Sequence, residues 1–413
     1  MKERILLCKP HLCGREINYV LKAFEGDWVV PLGPDVNAFE KDLERLVGGD
    51  KRVVALACGT AAIHLALIMC GVAPGDEVMV QSFTFCASTN PVGYLGAVPV
   101  FVDSERQTWN MDPVLLDKAI ADRIAVTGRK PKAIIPVYLY GMPADIDGIM
   151  DVSRKYDIPV IEDSAEAFGS RYCGRFCGSF GKYGIMSFNG NKMITTSGGG
   201  ALVCPDSSTA ERVMFYATQA RESYPYYQHE CLGYNYRLSN ISAAIGRGQM
   251  EVLDEHLAHH RHLHALYRDL FAEIPGITVH DNPDDRFDSN FWLTTVTIDP
   301  SVRIRGMERA YAEVVGGAIG GAGGVTHRAS SPHTASEPAV NVEGLRLYLN
   351  DLDIESRPLW KPMHLQPLWK NSPAYVNGVS ESLFRCGLCL PSGPWVTDDQ
   401  VRFIVKSIRE AIV

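Results

Sequence analysis

The sequence predicts an α/β protein built on a largely parallel sheet, followed by a smaller α+β domain. Between Val53 and Cys204, short apolar runs alternate with helical stretches, which is typical of βαβ units covered by helices on both faces. Near residue 250 this alternation ends, and a long amphipathic helix opens a less regular region. The chain has 413 residues, more than one ordinary domain. We therefore expect two domains, 1–248 and 249–413.

The individual elements follow from the apolar runs and from helical spacing. The predicted strands are Val53–Ala57, Val78–Gln81, Val98–Val102, Ala133–Val137 and Pro159–Glu162. The predicted helices are Ala61–Gly71, Cys86–Leu95, Asp145–Tyr156, about 249–271, and a terminal helix from Thr397. Ligands bind at the carboxyl ends of parallel strands, so the residues that follow each strand are the candidate site residues.

Composition and charge exclude several classes of protein. The net charge of −8 argues against a nucleic-acid-binding protein, and no Lys/Arg-rich block offsets it. No apolar run approaches the roughly 18–20 residues that span a bilayer, and the N-terminus lacks the apolar core of a signal peptide. Eleven scattered cysteines fit a reducing compartment better than a disulfide framework. We expect a cytoplasmic protein with small-molecule partners.

One pair of cysteines has the spacing of a redox or zinc motif. Cys386 and Cys389 are separated by two residues, and Cys173 and Cys177 are conceivable partners. The Leu-Pro-Ser-Gly that follows Cys389 indicates instead the end of a buried strand, in which free cysteine acts as a small apolar residue.

Three histidines share one face of the predicted long helix. His256, His260 and His264 recur at intervals of four and could hold a metal ion. We expect this face to be solvated instead, and we predict no metal site.

The segment 314–340 differs from the rest of the chain. It is rich in Gly, Ala, Ser and Pro, which cannot bury enough surface to offset the entropy of ordering. We expect a mobile surface insertion, and no flanking strand and helix make its glycine run a phosphate loop.

Lys192 is the most informative residue of the chain. A short apolar run ends at Ser187, the lysine follows five residues later, and three consecutive glycines close the segment at Gly200. A lysine that forms a Schiff base needs hydroxyls and close-packed backbone around it, because its amine must lose a proton to attack an aldehyde. The alternative is a surface lysine in a Gly-rich turn.

Other predicted strand ends carry groups that match such a lysine. Gly59 and Thr60 join a strand to a helix, where backbone N–H groups and a hydroxyl bind an anion, although a plain N-cap has the same pattern. Phe85 follows the next strand and can stack on a planar ring or belong to the core. Ile161–Glu166 ends a third strand with carboxylates, and a carboxylate beneath a pyridine nitrogen keeps it protonated. Together these groups indicate pyridoxal phosphate as the cofactor.

The chain also resembles the DegT/StrS-type (DegT/DnrJ/EryC1/StrS) family of sugar aminotransferases over nearly its whole length. The motifs behind this resemblance are Cys58-Gly-Thr-Ala-Ala, Pro74-Gly-Asp-Glu-Val, Ser82-Phe-Thr-Phe, Tyr140-Gly-Met-Pro-Ala-Asp, Ile161-Glu-Asp-Ser-Ala-Glu, Ser187-Phe-Asn-Gly-Asn-Lys and Gly233-Tyr-Asn-Tyr-Arg-Leu-Ser-Asn. The resemblance implies the fold-type I architecture, with a mostly parallel seven-stranded sheet and a smaller C-terminal domain. The segment 314–340 has no counterpart in the family pattern.

The family pattern also implies a role for each matching residue. Lys192 would form the Schiff base, Asp163 would hold the ring nitrogen and Phe85 would stack on the ring. Glu166, which replaces a glutamine or histidine found in many relatives, would lie near the 3-hydroxyl. The phosphate ligands would be Gly59, Thr60, Ala61, Ser187 and, from the second subunit of a homodimer, Asn235. The candidate substrate residues are Arg237, Arg357 and His364.

Within the family, the likeness is greatest to enzymes that aminate C4 of a UDP-linked 4-keto-6-deoxy-N-acetylhexosamine, as in the UDP-N-acetylbacillosamine pathway. It is carried by Asn189–Gly200, Thr218–Glu222 and Glu355–His364. The implied reaction is transamination with L-glutamate as donor, giving the UDP-4-amino sugar and 2-oxoglutarate. Amination at C3, a dTDP- or GDP-linked substrate, and a non-catalytic cofactor-binding regulator remain alternatives. A family dehydratase carries histidine in place of the lysine, so Lys192 argues against dehydration.

Overall fold

Short, apolar strands lie at the centre of the molecule, and helices cover them. The computed structural model describes residues 4–310 and 337–413. The α-helices in these ranges are α1 (Glu16–Glu25), α2 (Pro34–Val47), α3 (Gly59–Met69), α4 (Asn90–Tyr94), α5 (Pro113–Thr127), α6 (Ile146–Tyr156), α7 (Ser207–Ala217), α8 (Asn240–Met250), α9 (Leu253–Phe271), α10 (Val340–Asp351), α11 (Val379–Cys386) and α12 (Asp398–Ala411). The strands are β1 (Arg52–Leu56), β2 (Glu77–Gln81), β3 (Val98–Val102), β4 (Ala133–Ile135), β5 (Ile161–Asp163), β6 (Arg171–Tyr172), β7 (Arg175–Phe176), β8 (Tyr183–Ser187), β9 (Gly200–Cys204), β10 (Ile277–Val279), β11 (Phe287–Asp288), β12 (Thr294–Ile298), β13 (Arg357–Pro358), β14 (Ala374–Tyr375) and β15 (Gly387–Leu390).

Seven strands form the large sheet in the order β3-β2-β4-β5-β8-β9-β1. Its two halves meet where Ile134 pairs with Val160 and Val137 with Asp163, both in parallel. Every neighbouring pair is parallel except those of β9, which runs antiparallel to both β8 and β1. This confirms the predicted fold class, and it brings the carboxyl ends of β1, β2, β4, β5 and β8 to one edge.

Polar side chains at the helix starts explain where several helices begin. Such a side chain accepts a hydrogen bond from a backbone N–H of the first turn that has no partner within the helix. The N-capping residues are Asp112 for α5, Asp145 for α6, Asp206 for α7, Ser239 for α8 and Thr397 for α12. The terminal helix therefore begins where the sequence predicts it.

Two predicted helices differ from the structure because of local backbone constraints. The stretch 86–95 is a 3-10 turn followed by the short α4, and Pro91 occupies the first turn of α4, where its missing N–H costs nothing. The long helix begins at Leu253, and α8 ends at Met250. The sequence analysis also did not predict α1 and α2, which pack on α8 and β1.

The C-terminal half contains an antiparallel sheet in the order β10-β12-β15-β13. Cys389 is buried within β15, as expected for a buried strand, and Cys386 ends α11 just before it. Segments cross between the two halves: β14 pairs with β3 of the large sheet, and Ile5 pairs with Ile354. The domain boundary at residue 248 therefore stays a prediction.

Most of the segment 314–340 lies outside the described residues. Its last four residues, 337–340, are described, and Val340 begins α10. None of the helices in the described ranges is both long enough and apolar enough to cross a bilayer.

The histidine face of α9 is buried, so the expectation of a solvated face is wrong. His256, His260 and His264 are 4%, 1% and 2% exposed. The His264 ring stacks on Phe291 with centroids 3.5 Å apart, and His256 lies 3.0 Å from His11 through their ring nitrogens. Burial lowers the pKa of all three imidazoles, so they are neutral and their packing is tolerable. In the described ranges no group of three His, Cys, Asp or Glu residues is arranged to hold a metal ion.

Burial of His260 predicts a loss of stability in acid. Complete burial lowers its pKa to about 3, whereas an unfolded histidine titrates near 6.5. The unfolded chain therefore binds the proton first, and stability present above pH 6.5 is lost as the pH falls. Linkage gives about 2 kcal/mol lost at pH 5 from this residue. Denaturant unfolding between pH 8 and 4 should show a shallower pH dependence for His260→Gln than for wild type. The matched control is His262→Gln on the exposed side of α9, and equal slopes for the two variants would contradict the assignment.

Gly200 predicts a second stability effect, because β9 begins against the start of α3. A Cβ at Gly200 would lie 2.4 Å from the carbonyl carbon of Cys58 and from the Gly59 nitrogen, both backbone atoms that cannot move aside cheaply. Gly200→Ala should lower the free energy of unfolding by about 1–3 kcal/mol, measured in urea. Gly198→Ala, whose Cβ would meet nothing within 4 Å, is the steric control and should stay close to wild type. Equal effects of the two substitutions would refute the close approach.

Candidate active site at the carboxyl ends of the strands

One cavity opens at the edge of the large sheet where the parallel strands end. Its volume is about 220 Å³. The residues that line it include, from the strand ends, Cys58, Gly59, Thr60, Thr84, Phe85, Ser88, Asp163, Glu166, Ser187, Asn189, Asn191 and Lys192, and from the C-terminal half, Trp292 and Trp360. The topology thus brings together most of the residues that the sequence analysis selected.

Lys192 lies between a carboxylate and an aromatic ring. Its side chain is 14% exposed, and Nζ lies 3.5 Å from Oε1 of Glu166 and 4.0 Å from the centroid of the Trp292 ring. The backbone N–H of Lys192 donates to the Asn189 carbonyl at 3.0 Å, which turns the chain back after β8. The amine is therefore held inside the cavity, so the surface-lysine alternative does not describe it.

Asp163 ends β5 and presents a buried carboxylate to the cavity. The Ser88 hydroxyl donates to Oδ2 at 2.6 Å, and the Ala165 amide donates to Oδ1 at 3.2 Å. Burial raises the pKa of Asp163, while these two donors and the charge of Lys192 oppose the rise. Such a carboxylate is suited to accept a hydrogen bond from the protonated nitrogen of a bound ring.

Glu166 lies beside Asp163 and forms the ion pair with Lys192. Its Oε2 accepts from the Tyr140 amide at 2.7 Å. Burial raises the pKa of Glu166. The charge of Lys192 and, to a smaller extent, the hydrogen bond from the Tyr140 amide oppose this rise. The third carboxylate of this motif, Glu162, is not part of the site, because it accepts from the Tyr138 hydroxyl and from backbone amides that include Gly178.

The start of α3 lines one end of the cavity. Gly59 and Thr60 begin the helix, and a Cβ on Gly59 would lie 3.3 Å from the Ser187 Cβ, so β8 and α3 approach closely here. Unpaired amides at a helix start attract a phosphate. Ala61 does not line the cavity, and its amide donates to the Cys58 sulfur at 3.4 Å.

Two aromatic rings border the cavity mouth. Phe85 is 47% exposed, and its ring centroid lies 5.1 Å from that of Trp360. The Trp360 amide donates to the Tyr140 hydroxyl at 2.7 Å, and the two rings are nearly parallel. The loop after β13 is thereby fixed over the edge of the sheet.

These residues fit pyridoxal phosphate on the chemistry of their side chains. The cavity offers a helix start with hydroxyls for the phosphate, a buried carboxylate for the ring nitrogen and an exposed aromatic face. Lys192, within reach of the same space, supplies the amine for the aldehyde.

Asn235 lies outside the cavity of its own chain. It is exposed, and its Oδ1 accepts from Gln219 at 3.2 Å. Its expected role in a neighbouring subunit is therefore compatible with its position and stays a prediction.

Arg237 does not have the position expected of a substrate residue. Its guanidinium is buried against the carboxylate of Glu40 and donates to the Ala55 carbonyl at 3.1 Å. The charge is thus neutralised within the protein, where it ties α2 to β1.

Arg357 and His364 likewise have partners within the protein and do not line the cavity. Arg357 donates twice to Oε1 of Glu355, at 3.0 and 2.7 Å. The His364 ring joins the Ser82 hydroxyl at 2.6 Å to Glu381 at 3.1 Å. His364 thus ties the loop to Ser82 and Glu381, whereas Arg357 pairs only locally and its side chain is 45% exposed. Trp360, between them, is the loop residue that reaches the cavity.

Sequence reasoning missed several residues that line the cavity. Ser88, Trp292 and Trp360 belong to segments far apart in the chain, and only folding brings them together. Trp292 follows Ser289-Asn290-Phe291, whose Phe291 has a φ of +47°. No local pattern in the sequence signals that conformation.

The chain is similar to known proteins over most of its length. The model of the DegT/DnrJ/EryC1/StrS aminotransferase family matches residues 10–316. The EpsN protein of Bacillus subtilis (strain 168), whose name describes a pyridoxal phosphate-dependent aminotransferase, is 42% identical over 98% of this chain and 95% of its own length. GDP-perosamine synthase of Escherichia coli O157:H7 is 32% identical over 97% of both chains. A crystal structure of a DegT/DnrJ/EryC1/StrS aminotransferase from Brucella abortus superposes with a TM-score of 0.81 at 27% identity, covering 96% of this chain and 95% of that one.

The family match covers well over half of the chain, and the relatives cover nearly all of it. The site contains the lysine, the carboxylate and the anion-binding helix start that pyridoxal phosphate requires. The chain belongs to the DegT/DnrJ/EryC1/StrS aminotransferase family and is a pyridoxal-phosphate-dependent sugar aminotransferase.

Proposed function

We propose that the enzyme transfers the amino group of L-glutamate to C4 of a UDP-linked 4-keto-6-deoxy-N-acetylhexosamine. The products are the UDP-4-amino sugar and 2-oxoglutarate. The observation that carries this proposal is the convergence of Lys192, Asp163, Phe85 and the start of α3 on one cavity. The choice of UDP rests on the Asn189–Gly200 and Glu355–His364 motifs.

Each residue of the cavity has a defined task in this proposal. The helix start at Gly59 and Thr60, with Ser187, binds the cofactor phosphate. Asp163 keeps the ring nitrogen protonated, and Phe85 covers one face of the ring. Bound pyridoxal phosphate supplies an aldehyde that captures amines and a ring that withdraws electrons from the adjacent carbon.

Lys192 is the proposed acid–base residue. Once its amine is free, Nζ takes a proton from the α-carbon of glutamate. The same amine then delivers that proton to the carbon that was the aldehyde carbon of the cofactor. The bonding electron pair stays with carbon. With the keto sugar the same transfers run in reverse, so one amine serves both halves of the reaction.

A GDP-linked substrate is the second candidate, because a GDP-perosamine synthase is 32% identical over 97% of the chain. The cavity does not discriminate, since about 220 Å³ is below the roughly 300–1,000 Å³ that buries a complete small ligand. The nucleotide must therefore extend beyond the mouth formed by Phe85 and Trp360. The cavity likewise does not discriminate between amination at C3 and at C4 of the sugar.

A homodimer is part of the proposal, because several apolar side chains of α1 are exposed. Ile17, Leu21 and Phe24 lie on one face of α1 and are 54%, 53% and 57% exposed. Trp28, Val29 and Val30, which follow α1 in the chain, are also exposed, and a contiguous exposed apolar surface marks an interaction site. Lys192 is also the one cationic side chain among the described residues that line the cavity. Substrate carboxylate and diphosphate groups therefore need cations from elsewhere, which a second subunit can provide.

We place the enzyme in a reducing compartment, the cytoplasm. All eleven cysteines lie in the described ranges, and each has a free thiol. Cys177, Cys204 and Cys389 are fully buried.

The function is tested by separating the two half-reactions. With glutamate, the wild-type enzyme should convert the cofactor to its amine form and release 2-oxoglutarate. The change in the absorbance of the cofactor measures this conversion. Mass spectrometry should then show a mass gain on UDP-4-keto-6-deoxy-N-acetylglucosamine, compared in parallel with GDP-, dTDP- and 3-keto sugars. Lys192→Ala should lose both half-reactions by at least about 10³-fold. Turnover by Lys192→Ala would refute the lysine assignment, and preference for a GDP sugar would replace the UDP proposal.

The α1 face predicts the oligomeric state. Leu21→Glu combined with Phe24→Glu should place charge in the interface and yield monomers by light scattering. Val126→Glu, a substitution at an exposed apolar residue of α5, should leave the dimer intact. A wild-type chain that is monomeric at micromolar concentration would contradict the proposal.

The role of Asn235 in the second subunit is tested by complementation. Lys192→Ala and Asn235→Ala are each expected to be weakly active or inactive alone. Mixed dimers contain one site with an intact lysine and an intact asparagine only if Asn235 acts across the interface. Mixing equal amounts should then restore activity to at most about a quarter of that of the same amount of wild-type protein. No recovery would mean that Asn235 acts in the site of its own subunit or in no site.

A further inference from the structure

Trp292 forms the floor beneath the amine of Lys192. Its indole ring is 2% exposed, and Nζ lies 4.0 Å from the ring centroid. Glu166 approaches the same amine from another side, with Oε1 at 3.5 Å. A cation at this distance over a desolvated indole face is attracted by the ring quadrupole.

The ring is fixed by the backbone before it. Phe291 has a φ of +47°, which a bulky residue adopts only when its surroundings impose it. The Trp292 amide donates to the Asn290 side chain at 2.8 Å, and that side chain donates to the carbonyls of Glu166 and Phe168, each at 3.0 Å. The strained turn is therefore anchored to the segment that carries Glu166.

The neighbouring backbone leaves this turn no freedom to move. A Cβ on Gly141 would lie 1.8 Å from Oδ1 of Asn290, so the chain at Gly141 passes directly against the turn. The Phe291 ring stacks on His264 of α9. The turn is thus held at once by the segment that follows β5, by Gly141 and by α9.

The indole also binds the lysine loop directly. Its Nε1–H donates to the Asn191 carbonyl at 2.6 Å, one residue before Lys192. The Cys8 thiol donates to the same carbonyl at 3.2 Å. One side chain therefore fixes both the backbone of the loop and the end of its catalytic side chain.

We propose that Trp292 is a positioning residue that holds the Lys192 amine in place whenever that amine is free. This inference rests on the proposed role of Lys192. The ring face favours the protonated amine that results when Nζ takes the proton from the donor α-carbon, while the bonding electrons remain with carbon. The indole N–H keeps the loop in register, so the amine stays within reach of the carbon that receives the proton next.

The test compares substitutions that keep or remove the aromatic face. Trp292→Phe retains a ring but loses the N–H, and Trp292→Leu loses both. The control is Trp395→Leu, because Trp395 also lies under a lysine, with Lys9 Nζ 4.3 Å from its centroid, and also donates to a carbonyl, at 3.3 Å, but lies outside the cavity lining.

Two rates are measured, both without the sugar substrate. The first is capture of added pyridoxal phosphate by the cofactor-free protein, quantified by borohydride reduction and mass spectrometry of the Lys192 peptide. The second is the glutamate half-reaction, resolved into its rate constant and its half-saturating concentration. Circular dichroism and thermal unfolding establish that each variant is folded.

We expect Trp292→Leu to slow both rates by about 10- to 30-fold, the loss of a desolvated cation–π contact. The half-saturating glutamate concentration should change little. Trp292→Phe should recover most of the capture rate, and Trp395→Leu should match wild type. Equal rates for Trp292→Leu and Trp395→Leu would overturn the inference, as would equal losses in the Leu and Phe variants. Conversion of bound cofactor to its amine form by Lys192→Ala in the presence of glutamate would instead overturn the proposed function, so the two failures are distinguishable.

Discussion

The site depends on the burial of two carboxylates and one amine in a single cavity. Asp163, Glu166 and Lys192 leave water when the chain folds, and a buried charge is tolerated only when charges and hydrogen bonds oppose it. Ser88, Ala165 and Tyr140 donate to the two carboxylates, and Lys192 lies between Glu166 and the Trp292 ring. The surroundings therefore hold these groups in fixed positions before any ligand binds.

The strand order explains why these groups meet. Residues that follow parallel strands emerge at the same edge of the sheet, so β2, β5 and β8 bring the Phe85 loop, Asp163 and Lys192 side by side. β9 runs antiparallel between β8 and β1, and its first residue, Gly200, is pressed against the start of α3. The helix start that faces the cavity is thus set by contact with the sheet.

The three candidate substrate residues show how much the position of a charged side chain depends on tertiary structure. Arg237, Arg357 and His364 all have chemistry suited to an anionic sugar substrate. In the structure each one has protein partners, and the side chain that reaches the cavity is the aromatic Trp360. Arginine serves structural ion pairs and ligand binding equally well, and only the partner within reach distinguishes the two uses.

The histidines of α9 illustrate the same limit in the core. Their spacing places them on one helix face, and the amphipathic pattern of 249–271 predicts that this is the solvated face. A neutral imidazole, however, packs well on an aromatic ring, and Phe291 of the strained turn provides that ring for His264. The segment that covers this face lies far away in the chain, so the periodicity of the helix cannot predict it.

The α/β class, the central strands, the family and most of the residues that line the cavity were predictable from the sequence. These depend on local patterns: apolar runs, the glycines that permit close approach, and the motif that carries Lys192 after a strand. Tertiary structure alone decided that Trp292 lies under the amine, that Ser88 donates to Asp163, and that Arg237, Arg357 and His364 face protein partners. These contacts join residues far apart in the chain, and their geometry is set by packing across elements, for which no single segment carries a signal.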